Sequence, residues 1–243
     1  MCLAALAHQA HPRWRLVIAA NRDEFHARPA APLARWTDGS GIIGGRDLSA
    51  GGTWLGLTEA GRLALVTNYR VPGFPRPERP SRGGLVTAVL GGADPAAAGL
   101  AAMNPCTLLT VDPAGACIHG NHPQPQANPL TPGVHGLSNG PISPPWAKTR
   151  RVMDALERWL RQAATGDPAP LFAALADRTP TAATWDEGGP EPRLSSVFIA
   201  DPDYGTRCST VVLVDRDGQG TICEQRFDAD GRPAGTETIA FRW

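Results

Sequence analysis

Short apolar runs, each closed by glycine, proline or charged residues, set the pattern of this chain. The runs at 2–7 and 15–20 flank His8-Gln9-Ala10-His11-Pro12 and predict two strands around a tight connection. A proline-broken loop is expected over 28–33. The clearest hairpin is predicted from 53–57 and 62–68, separated by Glu59-Ala60-Gly61. Residues 81–90 and 95–103 read as helices, the second with proline in its first turn. Strands follow at 107–111 and 116–119, and then a proline-rich loop over 121–132. From 145 to 164, Trp146, Thr149, Val152, Met153, Leu156 and Leu160 recur at helical spacing, which predicts a helix lying on a sheet. A short helix at 168–176 and strands at 196–199, 208–214 and 221–227 complete the reading. Strands at both ends with helices between them suggest two packed sheets flanked by helices.

Composition narrows the function classes. A chain of 243 residues can bury a core without staples, and one domain is the default. Lys+Arg and Asp+Glu number 23 each, which leaves no electrostatic footprint for nucleic acid or an anionic membrane, so a small-molecule substrate fits better. The five cysteines are widely spaced and form no C-x-x-C, against a disulfide framework or a zinc site. No apolar run reaches membrane-spanning length, and 3–7 is too short and lacks the basic flank of a signal peptide. The expectation is a cytoplasmic protein without membrane insertion.

Several motifs invite chemistry and fail on inspection. Gly136-Leu137-Ser138-Asn139-Gly140 matches the G-x-S-x-G elbow of α/β-hydrolases, but that fold places its histidine after the serine, and the last histidine here is His135. The paired glycines at 44–45 and 51–52 mark places where the backbone turns or comes close to something, and they fit no phosphate cradle. His8-x-x-His11 and His119-x-x-His122 lack a third ligand at useful spacing apart from Cys117, and read as exposed turn histidines.

The start of the chain is different, because Cys2 stands one residue from it. Removal of Met1 leaves a residue carrying both a thiol and an α-amine, whose reference pKa values of about 8.5 and about 8 suit a nucleophile and its own base. The polar cluster Asn21-Arg22-Asp23-Glu24 lies at the outgoing end of the next strand. With a period of two, Asn21 and Asp23 share one face and Arg22 and Glu24 the other, so only one pair faces Cys2 unless the strand ends or bulges there. A carboxylate would orient an N-terminal ammonium, whereas an arginine would lower the thiol pKa and hold a substrate acid. Asn68 and Asn139 end apolar runs, where an amide N–H could stabilise an oxyanion, with turn-forming asparagine as the equal alternative for each. Tyr69, Arg70 and Arg207 are further candidates to line a cleft.

Taken together, Met1-Cys2, Asn-Arg-Asp-Glu at 21–24, Gly-Gly-Arg-Asp at 44–47, Gly-Gly-Thr-Trp-Leu-Gly at 51–56, Thr-Asn-Tyr-Arg at 67–70, Gly-Leu-Ser-Asn at 136–139 and Tyr-Gly-Thr-Arg at 204–207 resemble the NRDE family, also called the Transport and Golgi organisation protein 2 family. The resemblance implies an α+β fold, the four-layer αββα sandwich of N-terminal-nucleophile hydrolases, as a single domain over 1–243. It also implies a link to haem trafficking, with haem as a possible ligand and no required cofactor or metal. A more distant resemblance is to the choloylglycine hydrolase and penicillin V acylase group, cysteine amidases of the same fold. It implies an amidohydrolase in which Cys2, Asp23, Asn68 and Asn139 are catalytic and Arg22 occupies a comparable place; Asn21, Arg22, Tyr69, Arg70 and Arg207 are the substrate-binding candidates. That group spaces its arginine three residues before its aspartate, whereas Arg22 and Asp23 are adjacent. The alternative is a haem-binding protein that uses the same cleft without hydrolysis.

Overall fold

The computed structural model describes residues 2–162, 166–181 and 191–243. The chain clusters into two compact units, residues 1–27 with 132–241, and residues 28–131 with 242–243. Each unit is built on its own antiparallel sheet.

The first unit contains β1 (Cys2–His8), β2 (Trp14–Phe25), β10 (Gly133–Leu137), β11 (Tyr204–Asp215), β12 (Gln219–Phe227) and β13 (Pro233–Arg242), in the order β10-β1-β2-β11-β12-β13. Its helices are α2 (Ala147–Gln162) and α3 (Ala169–Leu175). Leu3, Ala5, Ala7, Val17, Ala19, Val211 and Leu213 on one face of the sheet pack with Val152, Leu156, Trp159 and Leu160 of α2 and Leu171 and Leu175 of α3. Ala4, Leu6, Leu16, Ile18, Ala20 and Val212 on the opposite face are just as buried. Burial of both faces is why these strands read as continuous apolar runs instead of alternating ones.

The second unit contains β3 (Ala30–Arg35), β4 (Ile42–Asp47), β5 (Leu55–Thr58), β6 (Arg62–Asn68), β7 (Cys106–Asp112), β8 (Gly115–Gly120) and β9 (Gln126–Pro129), paired in sequence order. Helix α1 (Arg82–Leu90) sets Leu85, Val86, Val89 and Leu90 against Ala64, Val66 and Leu108. Ser81 caps it by accepting from the Gly83 N–H, as its place before the helix requires. The paired glycines do mark a close approach: a Cβ on Gly52 would lie 2.3 Å from the Gly83 carbonyl carbon.

Several expected elements differ. Residues 95–103 form turns and a single 3-10 turn at Leu100–Ala102, because Gly99 adopts a left-handed φ of 85° in the middle of the run. Residues 196–199 are irregular, and an isolated bridge from Ala200 to Gly205 follows them. Part of the loop expected over 28–33 belongs to β3, and the proline-rich stretch contains β9; both lie at sheet edges, where proline is tolerated. The edge strand β13 was hidden by its mostly exposed polar and small residues. The last two residues of the helix expected over 145–164 lie outside the described residues.

Gly140, between the end of β10 and α2, faces the indole of Trp146, and a Cβ there would lie 2.3 Å from Cε2. Gly140→Ala is therefore expected to lower the unfolding free energy by about 1–3 kcal/mol, as overpacking against a buried ring does. A urea midpoint equal to that of the wild type would contradict this contact.

Candidate functional site

The register of β1, β2 and β11 decides what stands beside Cys2. Cys2 is directly opposite Arg22, and Leu3 is opposite Asn21. Opposed residues share a face, so Arg22 lies on the thiol's face and Asn21 on the helix face. On the far side of Arg22 stands Cys208, which makes a row of thiol, guanidinium and thiol across three strands. Arg22 also makes a 3.7 Å ion pair with Glu24.

Asn21 is built into the fold instead of facing the thiol. Its amide donates to the Leu175 and Val197 carbonyls at 2.9 and 3.1 Å, and its oxygen accepts from the Ser209 hydroxyl at 2.7 Å. These bonds tie the end of α3 and the segment before β11 to the sheet. Its amide is thus used inside the fold, on the face away from the thiol.

Asp23 is the residue of β2 just beyond its last partner in β1. The opposing strand bulges here: Thr206 pairs with Asp23 and Cys208 with Arg22, which leaves Arg207 as the extra residue. The bulge brings the Thr206 hydroxyl to Asp23 Oδ1 at 2.7 Å, and the Tyr204 hydroxyl donates to the Asp23 carbonyl at 2.6 Å. The Asp23 backbone N–H in turn donates to the Cys2 thiol. Burial raises the Asp23 carboxyl above its ordinary range, opposed first by the N-terminal charge and then by Lys148, the Thr206 hydroxyl and Arg22. Burial also pushes the Cys2 thiol up, and the Asp23 carboxylate adds to this, while the Asp23 N–H and Arg22 oppose it. Asp23 thus meets Cys2 through its backbone while Arg22 meets it across the sheet.

Asn139, just past β10, accepts a hydrogen bond from the Cys2 backbone nitrogen at 3.0 Å through Oδ1. Its oxygen is the group turned to Cys2. From α2, Lys148 is fully buried and donates to the Leu194 carbonyl at 2.9 Å. Sequence reading passed over Lys148, although a lysine four residues before Val152 on an apolar helical stripe is the signal that could have found it. Thr206, Tyr204 and Glu224 were also missed as site residues; Glu224 is buried and hydrogen-bonded to Cys208.

The other expected residues belong to further elements. Asn68 ends β6 in the second unit, opposite Cys106, and is exposed. Tyr69 donates from its backbone to the Pro105 carbonyl and sets its ring 5.6 Å from that of His122, and Arg70 follows it in the same unit. Arg207 closes the end of β2 by donating to the Phe25 and His26 carbonyls at 3.1 and 2.8 Å. Ser138 is buried in the connection from β10 to α2, and no helix follows it directly. Two of the expected turn histidines are strand residues: His8 is buried in β1, and His119 lies in β8 with its ring 3.0 Å from the Thr110 hydroxyl. Among the described residues no group of three or more His, Cys, Asp or Glu is placed to hold a metal ion. No helix among them is long and apolar enough to cross a membrane.

The sequence profile of the family described as Transport and Golgi organisation 2 matches residues 1–229. A human Transport and Golgi organization protein 2 homolog is 35% identical over 94% of this chain and 92% of its own length. The Drosophila melanogaster Transport and Golgi organization protein 2 is 26% identical over 93% and 92%. Among solved structures, a Caenorhabditis elegans ortholog of N-acylethanolamine-hydrolyzing acid amidase superposes with a TM-score of 0.52, covering 87% of this chain and 92% of that one, at 10% identity. A mutant conjugated bile acid hydrolase from Clostridium perfringens gives 0.53, covering 100% and 97%, at 9% identity. The fold is therefore that of the N-terminal-nucleophile hydrolases, with two antiparallel sheets and few helices.

Thr206→Val removes the hydroxyl donor to Asp23 and the acceptor of the Ile199 N–H, and is expected to cost about 1–3 kcal/mol. The sign with pH follows from linkage. The hydroxyl favours the ionised carboxylate, so the variant's folded carboxyl titrates higher still than the wild type's, which already lies above 3.8. Below 3.8 the carboxyl is protonated in both proteins and the charge-dependent part of the deficit vanishes. The deficit then widens as pH rises through the folded carboxyl's titration. Urea unfolding of both proteins across this range checks it, and a deficit that narrows with rising pH would be the opposite result.

Proposed function

This chain belongs to the Transport and Golgi organisation 2 family, and from that premise we propose that it is a cysteine hydrolase of a linear amide bond in a small molecule. Cys2 is the nucleophile once Met1 has been removed. The observation that carries this reading is the 3.0 Å contact from the Cys2 nitrogen to Asn139 Oδ1. After methionine removal that nitrogen is the α-amine, already held beside its own thiol.

In the proposed reaction the neutral amine takes the thiol proton, and the thiolate attacks the substrate carbonyl. The resulting ammonium returns a proton to the leaving amine as the tetrahedral intermediate collapses to a thioester on Cys2. Water, activated by the same amine, then releases the acid and regenerates the thiol. Asn139 fixes the amine through Oδ1, a role that replaces the oxyanion donation expected from its place in the sequence. Asp23 donates its N–H to the sulfur and holds its carboxylate, anchored by Thr206, on the helix side of the sheet. Arg22, directly across from Cys2, is placed to favour the thiolate and to meet a substrate acid. An amide substrate is in keeping with the acid amidase among the proteins of similar fold.

The test uses intact mass and a small alkylating probe. The background is Cys117→Ser/Cys223→Ser, because those two thiols are half-exposed and would compete. The expected result is a mass lacking one methionine and alkylation of Cys2 at least about tenfold faster than that of Cys106 or Cys208. Burial raises Cys106 to about 12 and Cys208 well above its ordinary value, so both are poor thiolates. Retention of Met1, or Cys2 reacting no faster than the two buried thiols, would overturn the mechanism. Against a panel of N-acyl amides, Cys2→Ala is expected to abolish turnover, and no thioester adduct should be trapped on the variant.

A further inference from the structure

Five side chains carrying ionisable groups other than thiols are buried among the described residues of the first unit: His8, Arg22, Asp23, Lys148 and Glu224. Burial and the nearby His135 hold His8 below its ordinary pKa, in favour of the neutral ring. The other four are two cations and two anions. A buried charge without a counter-charge is strongly unfavourable, so the arrangement of these four is constrained.

The sheet sorts them by face. Arg22 shares the face of Cys2 and Cys208, with Glu24 at 3.7 Å and with Glu224, which is paired across from Thr210 on that face. Asp23 shares the other face with Asn21, the face on which α2 and α3 pack. Lys148 comes from the first turn of α2, on that same side. Among the described residues of the unit, Asp23 is the buried carboxylate on the helix side. The segment before β11 is bonded to both: Leu194 accepts from Lys148, Val197 accepts from Asn21, and Ile199 exchanges bonds with Thr206, whose hydroxyl donates to Asp23.

We propose that Lys148 is the buried counter-ion of Asp23 and, through it, a positioning residue for Cys2. The functional half of this rests on the reading of Cys2 as a processed nucleophile. A lone carboxylate beside the α-amine would hold it as the ammonium and take away the base that the thiol needs. The Lys148 ammonium offsets that charge, so the carboxylate orients the amine without locking a proton on it. The groups that face Cys2 and Asp23 within this unit are Arg22 and Glu24 from β2, Tyr204, Thr206 and Cys208 from β11, Glu224 from β12 and Lys148 from α2. Of these, Lys148 is the cation on the helix side.

A thermodynamic cycle and a pH profile test the two halves separately. Lys148→Met and Asp23→Asn are each expected to lower Tm, and the double variant is expected to recover at least half of the larger loss, since it removes both charges together. Losses that simply add would overturn the pairing. If Lys148→Met alone fails to fold while the double variant folds, the pairing is upheld. In the processed protein, Lys148→Met is expected to move the midpoint of Cys2 alkylation upward by about one pH unit, while Lys148→Arg keeps the wild-type midpoint. An unmoved midpoint in Lys148→Met, or an equal shift in Lys148→Arg, would overturn the positioning role; if no methionine variant folds, the same readings are taken on Lys148→Gln. Slow alkylation of Cys2 in the wild type would instead sink the hydrolase reading and leave the cycle to answer for the ion pair.

Discussion

The hydrogen bond from the Cys2 nitrogen to Asn139 is the constraint on which the site depends, because it joins the beginning of the chain to a residue 137 positions away. It is possible only because β1 is an inner strand, paired with β10 on one side and β2 on the other. Chain starts generally fray; an inner strand with every residue buried does not. The thiol is therefore presented by a buried inner strand. The glycine that lets Trp146 close over the turn after Asn139 serves the same end, by packing α2 onto that turn.

The second constraint is electrostatic. Placing Arg22, Asp23, Lys148 and Glu224 out of water is costly, and a sheet with helices on one face gives the charges two compartments in which to balance. Neighbouring residues of one strand, Arg22 and Asp23, point into different compartments. A single strand end thus supplies a cation to the thiol's face and an anion to the helix side. The bulge at Arg207 makes this workable, since it brings Thr206 against the Asp23 carboxylate while Cys208 remains in line with Arg22.

Much of the architecture was legible in the apolar runs. The strands around the first turn, the hairpin at 53–68 and the amphipathic helix after Trp146 all stand close to where the pattern placed them. The elements that escaped were β3, β9 and β13, edge strands whose mostly exposed residues carry no run, and β4 and β10, whose glycines look like turns. The reading of 196–199 as a strand failed because an apolar run also serves a buried irregular segment that bonds to side chains instead of a ladder.

For the site, the sequence by itself determined that a thiol one residue from the start could become its own base, and that polar residues gathered at the end of the second strand. It also determined the alternation that separates Arg22 from Asp23, since the pleat has a fixed period. Only the tertiary structure decided which of the two faces the thiol, because that follows from register, and register is set by the packing of both faces together. It likewise decided that Asn21 is spent on the fold, that Asn139 turns its oxygen to Cys2, and that Lys148 is a buried charge. The first two depend on partners more than a hundred residues away in sequence, which no local pattern records, whereas Lys148, 46 residues from Leu194, left a trace in its place on the apolar helical stripe.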